Sequence, residues 1–519
     1  MFNKILIANR GEIACRIIQT VQEMGLVAVA VYNDHDETAR HVRLADEAYA
    51  LPGTSLSETY LNAKAILSLC KEHQVDAIHP GYGFLSENAG FARACAKAGV
   101  AFIGPSPDVI SAMGDKIAAR NLMHQAGVPI VPGWHGAADA PLATIQREAE
   151  HMGYPVLIKA TAGGGGKGMR RVDTPEALKD AWEAASREAQ KAFGNAQVFL
   201  EKYIIKPRHI EFQILADNDG NTVHLFEREC SIQRRYQKII EESPAPNLSA
   251  ELREKMGEAA VQAARAMGYT NAGTVEFIVG ADGGFYFLEV NTRLQVEHPI
   301  TELVTQQDLV RLQIQIAAGH RLPFTQTELT QSGHAIECRL YAEDPAQNFM
   351  PATGTLHQWL PPTGSGIRLD TGYQSGDAVT VHFDPMLAKL IVWGSDRDSA
   401  LRKMQWALRQ FVVLGVTQNL DFLHRVLSHP AFQEGLTHTH FIPEHGLDQP
   451  AEATGETEES ILVEALLQWA AEQPANGAQS VTAPTAADPA TGQISSPLSP
   501  WLAAGGWRGT PLSEGGRHA

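Results

Sequence analysis

The 519-residue sequence is poor in cysteine, in long apolar runs and, towards its end, in lysine. Cysteine occurs five times, at Cys15, Cys70, Cys95, Cys230 and Cys338, with no C-x-x-C pair. That count excludes a disulfide framework or thiolate zinc site and predicts buried, reduced thiols. No uncharged apolar stretch approaches the ~20 residues of a membrane helix. Charges at Lys4, Arg10 and Glu12 leave no room for the apolar core of a signal peptide, so a cytoplasmic protein with no membrane partner is expected. Basic residues are in deficit: 42 Lys and Arg against 59 Asp and Glu give a formal charge of −17. Nucleic acid is therefore excluded as the main partner. The remaining composition, 44% apolar and 19% charged, is ordinary globular usage. The length predicts three or four packed units.

Strand-like and helix-like segments alternate over the first hundred residues. KILIA, LVAVAVY, VDAIHP and VAFIGP are apolar runs separated by helical spacing, which predicts a parallel sheet with helical crossovers. The loop after the first run lacks G-x-G-x-x-G, so no dinucleotide site is assigned there. Residues 134–203 read as a small α+β unit carrying a glycine run at 163–166. Beyond it HIEFQILAD, TVHLFERECS, GTVEFIV, GFYFLEVN and HAIECRLYAE alternate as half-buried antiparallel strands do. The end differs: the last lysine is Lys403, residues 456–472 have the pattern of one amphipathic helix, and 32 of the 49 residues from 471 onward are Ala, Gly, Pro, Ser or Thr. Such a segment buries too little apolar surface to order itself and reads as linker, with SPWLAAGGW as its one sticky patch.

The glycine run TAGGGGKGM offers consecutive backbone N–H groups to phosphate oxygens, but it lacks the G-K-[ST] ending of a P-loop. A plain surface turn is the alternative. Lys159, inside an apolar strand just upstream, needs an anionic partner and favours the phosphate reading. Lys116, at a helix start, is a second candidate. More informative is GTVEFIVGADGGFYFLEVN, which predicts a hairpin about Asp282-Gly283 with opposed residues summing to 565: 276 with 289, 277 with 288, 278 with 287. Two glutamates opposed on one face repel, and a divalent cation between them reverses the sign. With Asn291 two residues on, Glu276 and Glu289 form the oxygen set that magnesium prefers beside nucleotide phosphates. In NTRLQVEHPITE an extended backbone puts Asn291, Arg293, Gln295 and Glu297 on one side. Arg293 presents a fork for a carboxylate-like anion and Glu297 a general base. The basic cluster RRYQK (234–238) and Arg339 add cations.

Taken together, ILIANRGEIACR, HPGYGFLSEN, GGGGKGM, EKY, RHIEFQ, ECSIQRR, EVNTRLQVEHPITE and HAIECRLYAEDP resemble, in order over residues 1–447, the biotin carboxylase family of ATP-grasp enzymes. The resemblance implies an α/β and α+β architecture: a Rossmann-like N-terminal domain (1–114), an ATP-grasp segment with a mobile lid (115–203, lid 134–203), an ATP-grasp catalytic region (204–333), a C-terminal mixed or antiparallel sheet domain (334–447) and a disordered tail (448–519). It implies a ligase that carboxylates biotin with ATP and bicarbonate. Lys116, Lys159, Gly165, Gly166, Glu201, Lys202, His209, Gln233 and Tyr236 would contact ATP, the last through its phenol where many relatives carry histidine. Glu276, Glu289 and Asn291 would hold Mg²⁺ or Mn²⁺. Lys238, Arg293, Gln295 and Val296 would hold bicarbonate, Glu297 would deprotonate it, and Arg339 would stabilise the biotin enolate near Tyr82 and Gly83. The tail resembles the entry to the segment that joins carboxylase to carrier in acyl-CoA carboxylase α subunits, the methylcrotonyl-CoA type above all. Acetyl-CoA, propionyl-CoA and pyruvate carboxylases are alternatives, as is an inactive ATP-grasp scaffold. No A-M-K-M motif is present, so biotin carried in trans is expected, with a biotinylated carrier protein, a carboxyltransferase β subunit and a homodimer or larger assembly as partners.

Overall fold

The apolar runs near the N-terminus form a five-stranded parallel sheet in the computed structural model, which describes residues 2–134, 140–160, 169–193 and 195–449. Its spatial order is Glu47–Ala50, Val27–Tyr32, Lys4–Ile7, Ala77–His79, Ala101–Phe102. Ile5, Leu6, Ile7, Ala28 and Val29 are fully buried because helices cover both faces. Asn62, Asn88 and Ser106 cap three of those helices by accepting a backbone N–H of the first turn. The chain order reverses between Lys4–Ile7 and Ala77–His79, and a doubly wound sheet opens a crevice at such a switch point. Here the crevice is formed by Asn9-Arg10-Gly11 and Pro80–Phe84. Asn9 stitches the two loops together by donating from Nδ2 to the carbonyls of Pro80 (2.8 Å) and Tyr82 (2.7 Å). Gly81 stands where φ is +62° and a Cβ would meet Asn9 Nδ2 at 3.0 Å, so any other residue would be strained and would crowd the Asn9 amide.

The unit after residue 132 is a four-stranded antiparallel sheet, ordered Gly133–Trp134, Val198–Lys202, Val156–Ala160, Arg170–Val172. Helices Leu142–Met152 and Leu178–Phe193 cover one face, with Ile145, Ala149, Ile158, Leu178 and Leu200 in its core. The glycine run, Gly165 and Gly166 included, lies outside the described residues, as does the helix expected at 456–472.

The larger region is one eight-stranded antiparallel sheet. Its order is Phe285–Asn291, Asn271–Val279, Arg208–Ala216, Thr222–Arg234, Gln237–Ser243, His334–Tyr341, Met386–Gly394, Ile367–Thr371. It runs unbroken from the 204–333 segment into 334–447. Helix Ala250–Ala266 covers one end through Met256, Ala260 and Ala263, and helices Arg397–Gln410 and Leu420–Ser428 cover the other. All five cysteines are buried and free, and burial pushes the Cys15 thiol up to about 12. Among the described residues no helix is long and apolar enough to cross a membrane.

Candidate active site

The hairpin Asn271–Val279/Phe285–Asn291 opposes Glu276 to Glu289, as the sequence predicts, but by a different register near the turn. Phe277 faces Phe287 and Ile278 faces Tyr286, so those pairs sum to 564 instead of 565, and a bulge at Leu288 restores the expected pairing at Glu276. The bulge takes up the extra residue of a turn that closes through Gly280 and Gly284.

Glu276 is buried and crowded. Its Oε1 accepts from Lys238 Nζ (2.8 Å), Asn291 Nδ2 (2.8 Å) and Gln295 Nε2 (3.2 Å). His209 Nε2 lies 3.1 Å from its Oε2, and Gln233 Nε2 contacts His209 Nδ1 at 2.7 Å. Glu289 has less: Lys116 Nζ stands 3.6 Å away with its side chain 74% exposed. Burial, then the Glu276 charge, pushes the Glu289 carboxyl up against the smaller pull of Lys116, His209 and Lys238, which leaves a net deficit of positive charge at the pair. An all-oxygen donor set beside that charge deficit fits magnesium or manganese.

Lys238 is the hub of the site. Its ammonium donates to Glu211 (2.5 Å), Glu276 (2.8 Å) and Glu297 (2.7 Å). Burial alone would lower its pKa, but these three carboxylates reverse the effect and hold it well above the ordinary lysine value. Glu297 ends the extended segment and precedes helix His298–Thr305. Its second oxygen accepts from Arg339 Nη2 at 3.0 Å. Burial would raise the Glu297 carboxyl, yet Lys238, Arg339 and Arg228 together hold it well below the carboxylate range. It is an anion clamped between two cations.

Arg293 behaves as an extended segment predicts: it donates to Gln295 Oε1 (3.0 Å) and Asn291 Oδ1 (3.1 Å), gathering three of the four polar groups. Its Nε donates to Glu87 at 2.9 Å. Arg339 Nε donates to Glu241 at 2.6 Å. The same guanidinium, with Val296, Tyr82, Gly83, Asn9 and Arg10, lines a cavity of about 250 Å³ at the switch point of the parallel sheet.

Four expected residues sit apart from this cluster. Lys159 pairs with Glu201 on one face of the small sheet, which supplies the anionic partner its burial demands. Lys202 points to the opposite face, because neighbours on a strand alternate, and its ammonium donates to the Gly153 carbonyl at 2.6 Å. Tyr236 is 76% exposed at a left-handed hairpin tip and lines a separate cavity with Gln233, Arg235, Asn348 and His440. Glu211, Arg228, Glu87 and Glu241 escape the sequence reading although they hold the site together. Arg228 is fully buried and donates to Glu211 at 2.6 Å. The available signal was charge inside the alternating strands RHIEFQ and FEREC.

Comparison with known proteins agrees with this geometry. Residues 1–110 match the biotin carboxylase N-terminal domain, 115–325 the carbamoyl-phosphate synthase L chain ATP-binding domain and 337–444 the biotin carboxylase C-terminal domain. The α subunit of mitochondrial methylcrotonoyl-CoA carboxylase from Dictyostelium discoideum is 52% identical over 443 residues, 85% of this chain and 63% of that protein. The chain thus spans less than two thirds of that relative's length. A biotin carboxylase from Nostoc is 51% identical over 85% of this chain and 99% of its own. The biotin carboxylase domain of Hydrogenobacter thermophilus 2-oxoglutarate carboxylase, solved with MgADP, ADP and bicarbonate, superposes with a TM-score of 0.80 at 47% identity, covering 87% of this chain and 100% of that one. With its parallel sheet, small ATP-grasp sheet and clamped glutamate in one chain, this protein belongs to the biotin carboxylase family of ATP-grasp ligases.

Proposed function

We propose that this chain uses ATP and bicarbonate to carboxylate the ureido ring of biotin presented by a carrier domain. We assign this as the first half-reaction of an acyl-CoA carboxylase of the methylcrotonoyl-CoA type, with a carboxyltransferase as partner and a dimer or larger assembly as the working form. The observation that carries the reading is Glu297, bonded at one oxygen to Lys238 and at the other to Arg339, between the nucleotide side of the site and the Tyr82 cavity.

Lys116, Lys159, Glu201, His209 and Gln233 face the nucleotide, joined by the main chain at Lys202, the glycine loop with Gly165 and Gly166, and Tyr236, whose phenol closes on a ribose hydroxyl. Glu276, Glu289 and Asn291 hold magnesium or manganese, which when bound neutralises phosphate charge. Bicarbonate takes the place between Lys238 and Arg293, with Gln295 and the Val296 main chain on its flank. Lys238 then exchanges part of its bonding to Glu297 for the incoming anion. That exchange removes the contact that most suppresses the basicity of Glu297, so the base is released when its substrate arrives. Glu297 accepts the bicarbonate proton and the oxyanion attacks the γ-phosphorus, releasing ADP. Lys238 and Lys159 spread the developing charge. Carboxyphosphate breaks at its C–O bond into CO₂ and phosphate. The phosphate takes the N1′ proton of biotin, Arg339 stabilises the resulting enolate, and the nitrogen collects CO₂. Keeping water from carboxyphosphate is the task of the small sheet unit.

The test is ADP release by the full chain with Mg²⁺, omitting bicarbonate or biotin in turn. Release that requires bicarbonate and rises with biotin is expected. Release indifferent to both, or driven equally by an amine acceptor, overturns the reading.

A further inference from the structure

Besides Arg228, a second fully buried cation has no part in the steps above. Lys389 lies in Met386–Gly394, whose sequence MLAKLIVWG is otherwise apolar, and is 0% exposed. A buried ammonium is tolerated only when its charge and its donors are all engaged. Lys389 Nζ donates to the Val296 carbonyl at 2.9 Å, and it ion-pairs with Glu12 at 3.2 Å and Asp370 at 3.5 Å. Burial would lower its pKa, but Glu12, Asp370 and Glu337 more than reverse that, so the group is charged at neutral pH.

The sheet register explains why it stands there. Lys389 is directly opposite Arg339 on one side and Asp370 on the other. Two cations opposed on neighbouring strands repel. The pair persists because the acids are divided between them: Glu241 and Glu297 go to Arg339, and Glu12 and Asp370 go to Lys389.

Its two nearest partners belong to different walls of the site. The Val296 carbonyl shares a rigid peptide plane with the Glu297 nitrogen, so anchoring that oxygen fixes the Cα from which Glu297 reaches Lys238 and Arg339. Glu12, in helix Gly11–Glu23, uses its other oxygen to accept from the Tyr82 phenol. We infer that Lys389 is a positioning residue of the carboxylation reaction: one buried ammonium ties the Val296–Glu297 turn, where bicarbonate is bound and deprotonated, to the Tyr82 wall against which biotin lies. The inference rests on the bicarbonate and biotin placements proposed above. Holding both walls from one atom keeps the distance between the two substrates constant.

The competing role is a clamp between the N-terminal helix and the large sheet, and kinetics separate the two. Lys389→Met alone leaves Glu12 uncompensated and is expected to destabilise the chain. The pair Lys389→Met/Glu12→Gln removes both charges, leaves Asp370 bonded to Arg368 at 2.8 Å, and keeps an amide oxygen that can accept from Tyr82. In the full chain this pair should melt within a few degrees of wild type. Its KM for bicarbonate should rise about ten-fold or more, the cost of a lost charge-assisted hydrogen bond. Its KM for ATP should move less than two-fold. Glu12→Gln alone, which keeps the ammonium on Val296, should raise the bicarbonate KM less than the pair does. If the methionine pair loses its melting transition, Lys389→Gln in the Glu12→Gln background replaces it under the same readout. An unchanged bicarbonate KM in a folded pair, with activity lost only in proportion to active fraction, makes Lys389 a clamp and overturns the inference. Wild-type ADP release that ignores bicarbonate defeats the parent reading instead, before any variant is measured.

Discussion

Replacing Glu289 with glutamine separates a metal ligand from a structural acid, because the two roles predict opposite changes in stability. Glu276 and Glu289 are Cα partners across the hairpin, which sets their Cβ atoms about 5 Å apart. Two unit charges at about 5 Å repel by about 3 kcal/mol at an effective dielectric near 20. Lys116, 3.6 Å from Glu289, returns part of this, and only a small part because its side chain is 74% exposed. Lys238, 2.8 Å from Glu276, and His209, 3.1 Å from it, offset more, and the net repulsion left for a metal to cancel is about 1 kcal/mol, the usual scale for opposed like charges on a sheet. Glu289→Gln therefore melts no lower than wild type in EDTA, and up to ~1 kcal/mol higher in stability. Added Mg²⁺ stabilises the variant less than it stabilises wild type. Turnover, followed by coupled ADP release, falls at least ~10²-fold because a charge contact to the phosphate-bearing metal is gone. A variant less stable than wild type in EDTA would mean that Glu289 serves the protein, and wild-type-like turnover would refute the metal assignment outright.

Arg339→Ala should keep bicarbonate-dependent ATP cleavage and lose most biotin carboxylation, whereas Glu297→Ala should lose both; equal losses in the Arg339 variant show that its guanidinium is misassigned. Glu242, bonded to His334 at 2.8 Å and to Arg397 at 2.7 Å, is held down at about 2 against the rise that burial alone would cause. The drop from 4.5 to about 2, at about 1.4 kcal/mol per pH step, makes Glu242→Gln destabilising by about 3 kcal/mol at pH 7. A depressed carboxylate stabilises the fold above its unfolded value, so that difference should narrow as pH falls below 4.5 towards about 2, measured as urea midpoints across the range; a pH-independent difference refutes the ion-pair account. A biotinylated carrier domain added to the chain should raise carboxylation far above that with free biotin at equal concentration, by holding the ring near the cavity of Tyr82 and Arg339; equal rates with free and carried biotin refute it.

Much of the site was legible because its chemistry sits on alternating strands. Period-two spacing predicts Asn291, Arg293, Gln295 and Glu297 on one side; Arg293 bonds both Asn291 and Gln295, whereas Glu297 already stands in the turn that opens His298–Thr305. The Glu276–Glu289 opposition was also foreseen, although the turn is one residue out of the assumed register and only the bulge at Leu288 brings the pair back. That bulge was invisible because Asp282-Gly283 suggests a tight turn, while the actual closure runs from Gly280 to Gly284. Lys202, next to Glu201 in sequence, turns its side chain to the opposite face of the strand, where it bonds the Gly153 carbonyl. The deepest layer stayed hidden. Glu211, Glu241 and Lys389 are charges on largely apolar strands, Arg228 lies between two glutamates and Glu12 in a helix, and one segment alone does not reveal which neighbour answers them. The demand that a lysine in an apolar strand makes for an anion is met at Lys159 by Glu201. It applies with greater force to Lys389, whose exposure is zero, whereas the Lys159 side chain remains 27% exposed. Burial depth, which only the fold supplies, is what turns such a residue from a curiosity of sequence into the joint between two substrate walls.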